Sequence, residues 1–487
     1  MRLSVLLTNI AEVSEGVDCD ITSITLDSRE VVSGALFVAL NGTQQHGLIY
    51  AEKAQEMGAV AIIWESGKSI KAPSLDIPCI EVPHLRQKLG QVANRFYSSP
   101  SQSLNMIGIT GTDGKTSVSH FLAQAVNDSA VIGTIGIGAL NDLQTATHTT
   151  PDVLSVHKNL LMLKNKAIKT VAMEVSSHAL DQGRVDNVLF DVAVLTNLSS
   201  DHLDYHGTVK AYAEAKQKLF SSADLKAVVV NLEDKFGRIL ANKSKQDVKV
   251  IGYSVGEQAD CSNDVLLAYD VVLSEQGVAA NVSYKGQTAK LNAAVLGRFN
   301  ISNLLASLGA MLALEWSLPD ALDQLNQVTT VAGRMEKVSE TGILAVVDYA
   351  HTANALGTVL NALREHTQGK LICVFGCGGD RDTSKRPLMA EVAEKLADVV
   401  IVTDDNPRTE SPEKIMQDII TGFKDAQRVH IEHDRAKAIA VALSQAKQGD
   451  TVLIAGKGHE NVQILATETL PFSDKEQANK ILQELAA

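Results

Sequence analysis

The chain has 487 residues, 45% of them apolar and only 4% aromatic, and 57 acidic against 44 basic side chains leave a formal charge of −13. That length exceeds one ordinary core and implies about two to four domains. The acidic balance argues against a nucleic-acid or anionic-membrane partner, although local basic groups can still hold small anions. No apolar run reaches the length of a membrane span, so no membrane insertion is expected. The opening MRLSVLLTNIAEV carries one Arg, a short apolar stretch and no small-residue cleavage site, and reads as the first element of a fold rather than a signal peptide. The five cysteines, Cys19, Cys79, Cys261, Cys373 and Cys377, are odd in number and scattered. They fit neither a zinc knuckle nor a redox pair, and reduced thiols in a cytoplasmic protein are expected.

Short β-rich runs recur along the chain: Ala35–Leu40, Ala59–Trp64, Met106–Thr110, Val171–Val175, Val192–Thr196, Ala227–Asn231, Ala345–Asp348, Leu371–Phe375, Val399–Thr403 and Thr451–Ala455. Many lead through Gly-rich or polar turns into helix-period segments such as Ser117–Val126 and Leu388–Leu396. This alternation is the signature of α/β architecture with largely parallel sheets. Polar, Pro-containing sequence near Tyr97–Ser103 and the stretch Gln327–Gly333 mark two junctions, hence three unequal domains.

Residues 106–117 read MIGITGTDGKTS. An apolar strand runs into Gly111, Thr112, Asp113, Gly114, Lys115 and Thr116, and a helix begins with Ser117 in its first turn. Such a turn aims backbone N–H groups at phosphate, lets the lysine reach the β- and γ-phosphates and offers the threonine hydroxyl to Mg²⁺. The upstream glycines, Gly108 and Gly111, depart from the usual spacing, and a plain strand-to-helix turn is the competing interpretation. Strand, turn and helix together favour nucleotide binding.

MEVSSH (173–178) and TNLSSDHLDYH (196–206) each end an apolar strand. Ligands sit at such strand ends in parallel sheets, which places Glu174 and His202 to join Thr116 around Mg²⁺. In AYAEAKQKLF (211–220), Tyr212, Lys216 and Phe220 fall at i, i+4 and i+8 on one helical face. Lys216 therefore lies among apolar side chains. Burial would lower its pKa and expose a neutral amine able to capture CO₂ as a carbamate. A lysine that snorkels to water is the more ordinary arrangement on the sequence alone.

Three motifs of the last third follow apolar strands: GCGGDRDTSKRP (376–387), DDNPRTE (404–410) and GKGHE (456–460). Arg381 and Arg408 can bind carboxylates, and Asp405, Asn406 and Glu460 can hold an ammonium group. A ligand with carboxylates and amines at both ends fits, and meso-2,6-diaminopimelate is one. An Asx-Pro turn with no ligand is the alternative for DNPR.

The ordered elements GTDGKT (111–116), MEVSSHAL (173–180), TNLSSDHLDYHG (196–207), AYAEAK (211–216), GRFNISN (297–303), GRME (333–336) and DYAHTANAL (348–356) together resemble the Mur ligase family across nearly the whole chain. The resemblance implies an α/β protein of three domains: a UDP-sugar-binding N-terminal domain over 1–87, a central P-loop ATPase domain over 88–331 and a C-terminal Rossmann-like amino-acid-binding domain over 332–487. It implies an ATP- and Mg²⁺-dependent ligase, monomeric, that adds meso-2,6-diaminopimelate to UDP-N-acetylmuramoyl-L-alanyl-D-glutamate through an acyl-phosphate in peptidoglycan synthesis. LDSRE (26–30), GTQQHG (42–47) and HTTPD (148–152) carry Leu26, Ser28, Thr43, Gln44, Gln45, Thr149 and Thr150 to the UDP-substrate. Ser176, Gln182 and Arg184 fall on further contacts with it. Asn300, Arg334, Asp348 and His351 fall on nucleotide positions, and Lys216 falls on the carbamylated lysine. Pro407 and Gly456 complete the diaminopimelate set. Three rival readings are a same-fold enzyme that adds L-lysine, whose relatives lack the DNPR arginine, or joins glutamates to folate, a nucleotide-binding regulatory subunit without catalysis, and a motor or transport ATPase. The family loop usually carries Asn where Asp113 stands, which predicts mild repulsion of polyphosphate unless this carboxylate faces away or toward Mg²⁺.

Overall fold

The computed structural model describes residues 1–42, 45–67, 70–243, 247–256, 264–338 and 342–486. They form two compact units, Met1–Ile251 and Gly252–Ala487.

The first unit opens with four parallel strands, β1 (Ser23–Thr25), β2 (Ala35–Ala39), β3 (Ala59–Glu65) and β4 (Cys79–Val82), in that spatial order. Leu36 and Val38 pack on one side with Leu85, Leu89 and Val92 of helix Leu85–Phe96. Phe37 and Ala39 pack on the other with Ala51 and Ala54 of helix Ala51–Glu56. A strand covered on both faces is apolar throughout, which explains the unbroken ALFVA run.

A second sheet of this unit follows: β5 (Asn105–Thr110), β6 (Ser129–Ile132), β7 (Ile137–Gly138), β8 (Thr170–Glu174), β9 (Val192–Leu195) and β10 (Ala227–Asn231), ordered β10-β9-β5-β8-β6-β7. Only the β6–β7 pairing is antiparallel. The central β5 lies between β8 and β9, so the C-terminal ends of these three strands deliver Gly111–Thr116, Glu174 and the 196–202 loop to one place. Strand β11 (Lys249–Val255) contains the division between the units.

The second unit begins with an antiparallel meander, β12 (Asp264–Ser274), β13 (Gly277–Tyr284) and β14 (Gln287–Ala293), with a register shift between Tyr269 and Val272. The sequence pattern missed it. Along β13 buried and half-exposed residues alternate, as in a sheet covered on one face, and the one apolar run, VLLAY at 265–269 in β12, is not among the strands expected from the sequence. Helices Phe299–Ala313 and Leu318–Leu325 follow. Next come β15 (Glu336–Lys337), β16 (Leu344–Asp348), β17 (Leu371–Phe375), β18 (Val399–Val402), β19 (His430–Ile431) and β20 (Thr451–Ala455), ordered β15-β16-β20-β17-β18-β19 and parallel apart from β15. Helices Ala353–Arg364, Lys385–Leu396 and Pro412–Ile420 contribute to the core on one face, and Arg435–Gln445 with Asp474–Ala486 to the core on the other. This is a doubly wound α/β domain.

One helical expectation needs correction. Helix Val209–Gln217 tightens into a 3₁₀ turn over Lys218–Ser221. The tighter winding, about three residues per turn, brings Leu219 into the core, and Phe220 is only partly buried against that core, while Tyr212 and Lys216 are fully buried. No helix among the described residues is long and apolar enough to cross a membrane.

Candidate active site

Strand β5 runs straight into the phosphate-type loop, where Gly111 has φ 153° and Gly114 φ 83°. Helix Lys115–Ala125 starts immediately after, and its first-turn N–H groups, lacking intrahelical acceptors, make an anion site. Ser117 lies in that turn. Lys115 Nζ curls back to the carbonyls of Gly111 (2.9 Å) and Thr112 (2.8 Å). The Asp113 backbone is held by Asn197, whose Oδ1 accepts from its N–H at 3.0 Å, while its side chain is exposed.

Thr116 Oγ1 donates to Glu174 Oε2 at 2.9 Å. Glu174 is fully buried at the end of β8 and also accepts from Thr134 N (2.8 Å) and Thr134 Oγ1 (3.1 Å). Its donors are neutral, and no cationic side chain pairs with it among the described residues. A buried carboxylate demands a compensating charge, so Thr116 and Glu174 fit a divalent cation. Residue 133 must be small here, since a Cβ on Gly133 would stand 2.2 Å from Glu174 Oε1.

Lys216 is 1% exposed. Its Nζ donates to the Gly111 carbonyl at 2.8 Å and lies 4.4 Å from the centre of the Tyr212 ring. Burial, reinforced by neighbouring Lys115, pushes its pKa down to about 6, against the pull of Asp201 and Asp113. The Tyr212 hydroxyl reaches Thr112 Oγ1 at 3.2 Å, tying this helix to the loop. His202, in the left-handed region at φ 52°, has its ring 4.8 Å from that of His178 and 6.2 Å from that of Tyr212. Thr116 and Glu174 thus touch, and Lys216 and His202 adjoin them through the loop and Tyr212. Among the described residues no three His, Cys, Asp or Glu side chains converge as a ready metal cage.

Beside this centre, within the first unit, lies a cavity of about 390 Å³ lined by Leu26, Leu40, Arg86, His148, Gln182 and Arg184, among others. Arg184 Nη1 donates to the Thr150 carbonyl (2.9 Å), and its Nε and Nη2 grip Gln182 Oε1. Buried Thr150 donates to the Glu174 carbonyl (2.8 Å), and Thr149 Oγ1 meets Thr134 Oγ1 at 3.1 Å. Ser176 caps helix Ser177–Asp181 through Ala179 N. Buried Ser28 opens a 3₁₀ turn over Ser28–Glu30, and Gln45 donates to the Tyr50 hydroxyl. Thr43 and Gln44 lie outside the described residues.

In the second unit, Asn300 has its side chain bonded to Leu296 O and Asn303. Arg334 and His351 gather around Tyr349, the guanidinium 5.4 Å and the imidazole 4.7 Å from its ring centre. Asp348 accepts from Met335 N and Ala350 N, and burial raises its pKa despite them.

The ends of β17, β18 and β20 bring the three C-terminal motifs together. Arg408, at φ 54°, donates through Nη1 to Gly379 O (3.0 Å) and Asn406 O (3.3 Å). Thr409 bonds to Asp380. Arg381 is exposed and Asp405 buried. Gly456, at φ 121°, lies so close to Asp405 that a Cβ would be 2.7 Å from Oδ2. Asn406 Nδ2 donates to Glu460 Oε2 at 2.9 Å. Buried Pro407 lies between Asn406 and Arg408.

Three family models match the chain in order: "Mur ligase family, catalytic domain" over residues 20–97, "Mur ligase middle domain" over 109–311 and "Mur ligase, glutamate ligase domain" over 333–458. The chain is 46% identical to UDP-N-acetylmuramoyl-L-alanyl-D-glutamate–2,6-diaminopimelate ligase of Pseudomonas syringae pv. tomato, covering 96% of this chain and 97% of that one. It is 47% identical to the ligase of the same name from Pseudomonas aeruginosa, covering 96% of each. The chain belongs to the Mur ligase family. A solved Mur ligase, titled a structure of UDP-N-acetylmuramoyl-L-alanyl-D-glutamate–2,6-diaminopimelate ligase, matches with a TM-score of 0.74 and 36% identity over 96% of both chains.

Three basic residues of this Mur ligase near these loops and the cavity are not singled out by the sequence. Arg86 enters the cavity with its Nη2 on Asn41 O. Arg386 and Lys457 are wholly buried, Arg386 against Glu410, Asp418 and the Gly378 carbonyl and Lys457 against Asn406 and Glu460. The sequence signal for Arg386 and Lys457 is a basic residue inside the motifs at 376–387 and 456–460, and Arg86 lies in no such motif.

Proposed function

We propose that the chain is an ATP-dependent ligase that joins meso-2,6-diaminopimelate to the D-Glu γ-carboxyl of UDP-N-acetylmuramoyl-L-alanyl-D-glutamate. Near-full-length identity of 46–47% to ligases of that name carries the conclusion. In this reading the UDP-substrate lies in the cavity of the first unit, oriented by Arg184 and Gln182. Lys115 and the helix N-terminus hold the γ-phosphate for in-line attack by the γ-carboxylate, giving an acyl-phosphate and ADP; catalysis is chiefly positioning and charge neutralisation. Mg²⁺, held by Thr116 and Glu174 with His202 and a carbamate on Lys216, would neutralise the phosphate charge. A neutral, buried Lys216 amine is the chemistry that carbamate formation needs. The amine of the diamino acid, freed of its proton, then attacks the acyl carbon, and phosphate leaves.

Arg408 and Arg381 supply cationic groups for a distal carboxylate, which L-lysine lacks, so a diamino dicarboxylate is favoured over lysine. The test is phosphate release with ATP, Mg²⁺ and the UDP-dipeptide, in parallel with meso-diaminopimelate and with L-lysine. Release with diaminopimelate alone is expected. Release with lysine would overturn the pocket assignment and keep the ligase, whereas silence with both would favour a regulatory subunit.

A further inference from the structure

Lys457 follows β20 and is 0% exposed. Its Nζ lies 2.9 Å from Asn406 Oδ1 and 3.1 Å from Glu460 Oε2. Asn406 Oδ1 also accepts from Ile464 N at 2.9 Å, and Asn406 Nδ2 donates to the same Glu460 Oε2 at 2.9 Å. An amide oxygen has two lone pairs and an amide nitrogen only donates. Lys457 and Ile464 therefore fill both acceptor positions of Asn406 and fix which way its amide faces. Glu460 Oε2 receives two donors, and among the described residues no hydrogen bond reaches Oε1. The adjoining loop is laced to the same frame, since Gln463 Nε2 donates to Asp405 O and Arg408 N to Ile464 O.

We infer that Lys457 is a positioning residue of the amino-acid pocket, which locks the Asn406 amide and one oxygen of Glu460 so that Glu460 Oε1 is presented to an ammonium group of the diamino acid. The inference rests on the assignment of this pocket to the diamino acid. Asn406, by contrast, has its side-chain oxygen engaged inside the protein and serves the ligand indirectly. Without Lys457 the Asn406 oxygen keeps only the Ile464 N–H, and the carboxylate of Glu460 loses its only ion-pair partner among the described residues and is held by Asn406 Nδ2 alone. A substrate contact then has to compete with repair of unmatched buried groups.

The experiment measures KM for each of the three substrates in the full-length protein carrying Lys457→Met or Lys457→Gln. Lys457→Met should raise KM for meso-diaminopimelate about tenfold or more and leave KM for ATP and for the UDP-dipeptide within about twofold. Lys457→Gln, still able to donate to Asn406 Oδ1, should fall in between. An unchanged KM for diaminopimelate, or a common rise in all three, would overturn the inference, because a merely structural lysine does not single out one substrate. If Lys457→Met fails to fold, Lys457→Gln decides on the same criteria. Wild-type protein that is inactive with diaminopimelate would instead sink the pocket assignment, so the two failures are distinguishable.

Discussion

Lys216 Nζ donates to the carbonyl of Gly111 at 2.8 Å across 105 residues of chain. The amine is thereby brought onto the backbone of the phosphate loop, in a spot too dry to favour its charge. Lys216→Ala should nearly abolish phosphate release. Added bicarbonate should not restore it, because the amine that would capture CO₂ is gone, whereas short carboxylic acids should restore part of it. Wild-type-like turnover in this variant would remove the carbamate from the mechanism.

The same burial predicts a pH-dependent stability in bicarbonate-free solution. The folded pKa of Lys216 is about 6 against 10.5 for the free side chain. Between these values the unfolded chain holds a proton that the folded chain lacks, so this group makes stability rise with pH across that window. Below about 6 the penalty is complete. Lys216→Met removes it, so the variant's stability relative to wild type should be greatest near pH 6 and decline toward pH 10. The lost bond to Gly111 adds only a pH-independent offset. Urea midpoints of both proteins at pH 6, 8 and 10 test this, and a constant difference would contradict it.

Gly133 offers a purely steric test of the Glu174 site. A Cβ there would lie 2.2 Å from Oε1 and 2.8 Å from the carboxyl carbon, and the buried carboxylate has to move from the position in which Thr116 and Thr134 hold it. The backbone of residue 133 needs no positive φ, so Gly133→Ala should fold. A misplacement of about 1 Å costs turnover roughly 100-fold. Full activity with a native circular-dichroism spectrum would argue that the carboxylate position is not critical.

Arg408 is expected to govern selectivity. Arg408→Met removes a partner for the second carboxylate of a diamino dicarboxylate, and the loss should be about 2–5 kcal/mol in kcat/KM for diaminopimelate. Weak competition by L-lysine, which has no such carboxylate and is measured as an inhibition constant, should be little affected. Equal losses with both amino acids would place Arg408 in the loop architecture alone, where its bonds to Gly379 and Asn406 already give it a part.

What was legible in the sequence follows from range. Strands buried on both faces announce themselves as apolar runs, and Ala227–Asn231, Leu371–Phe375 and Thr451–Ala455 agree to the residue with the structure. The phosphate loop is a local motif whose geometry its own glycines dictate. The β12–β14 meander was missed: the apolar run at 265–269 in β12 was available, but in β13 and β14 one-face burial leaves an alternating pattern that polar residues interrupt. Nor were the roles of Arg386 and Lys457 legible. A basic residue beside Gly or Pro reads as a solvated side chain, and only partners 24 to 51 residues away in the chain show that it is enclosed.

Arg386 supplies the final prediction. Its guanidinium is 0% exposed and joins three segments, donating to Glu410 Oε1 and Oε2, Asp418 Oδ2 and the Gly378 carbonyl. Breaking a buried ion pair on one side leaves the partner charge uncompensated, a loss of about 3–5 kcal/mol, so Arg386→Met should strongly lower the urea midpoint. The bond to Arg386 also holds the Glu410 pKa down to about 2. Its contribution is therefore present above the ordinary carboxylate value near 4.5 and is lost as pH falls toward 2. Wild-type protein should lose stability through that window more steeply than Arg386→Met. Replacing both partners, as Arg386→Met with Glu410→Leu, should be less harmful than the sum of the single changes, because only the half-exposed Asp418 carboxylate, and no longer that of Glu410, is then left without its partner. Strict additivity in that cycle would mean that Arg386 acts through packing and its Gly378 and Asp418 bonds, with Glu410 a bystander.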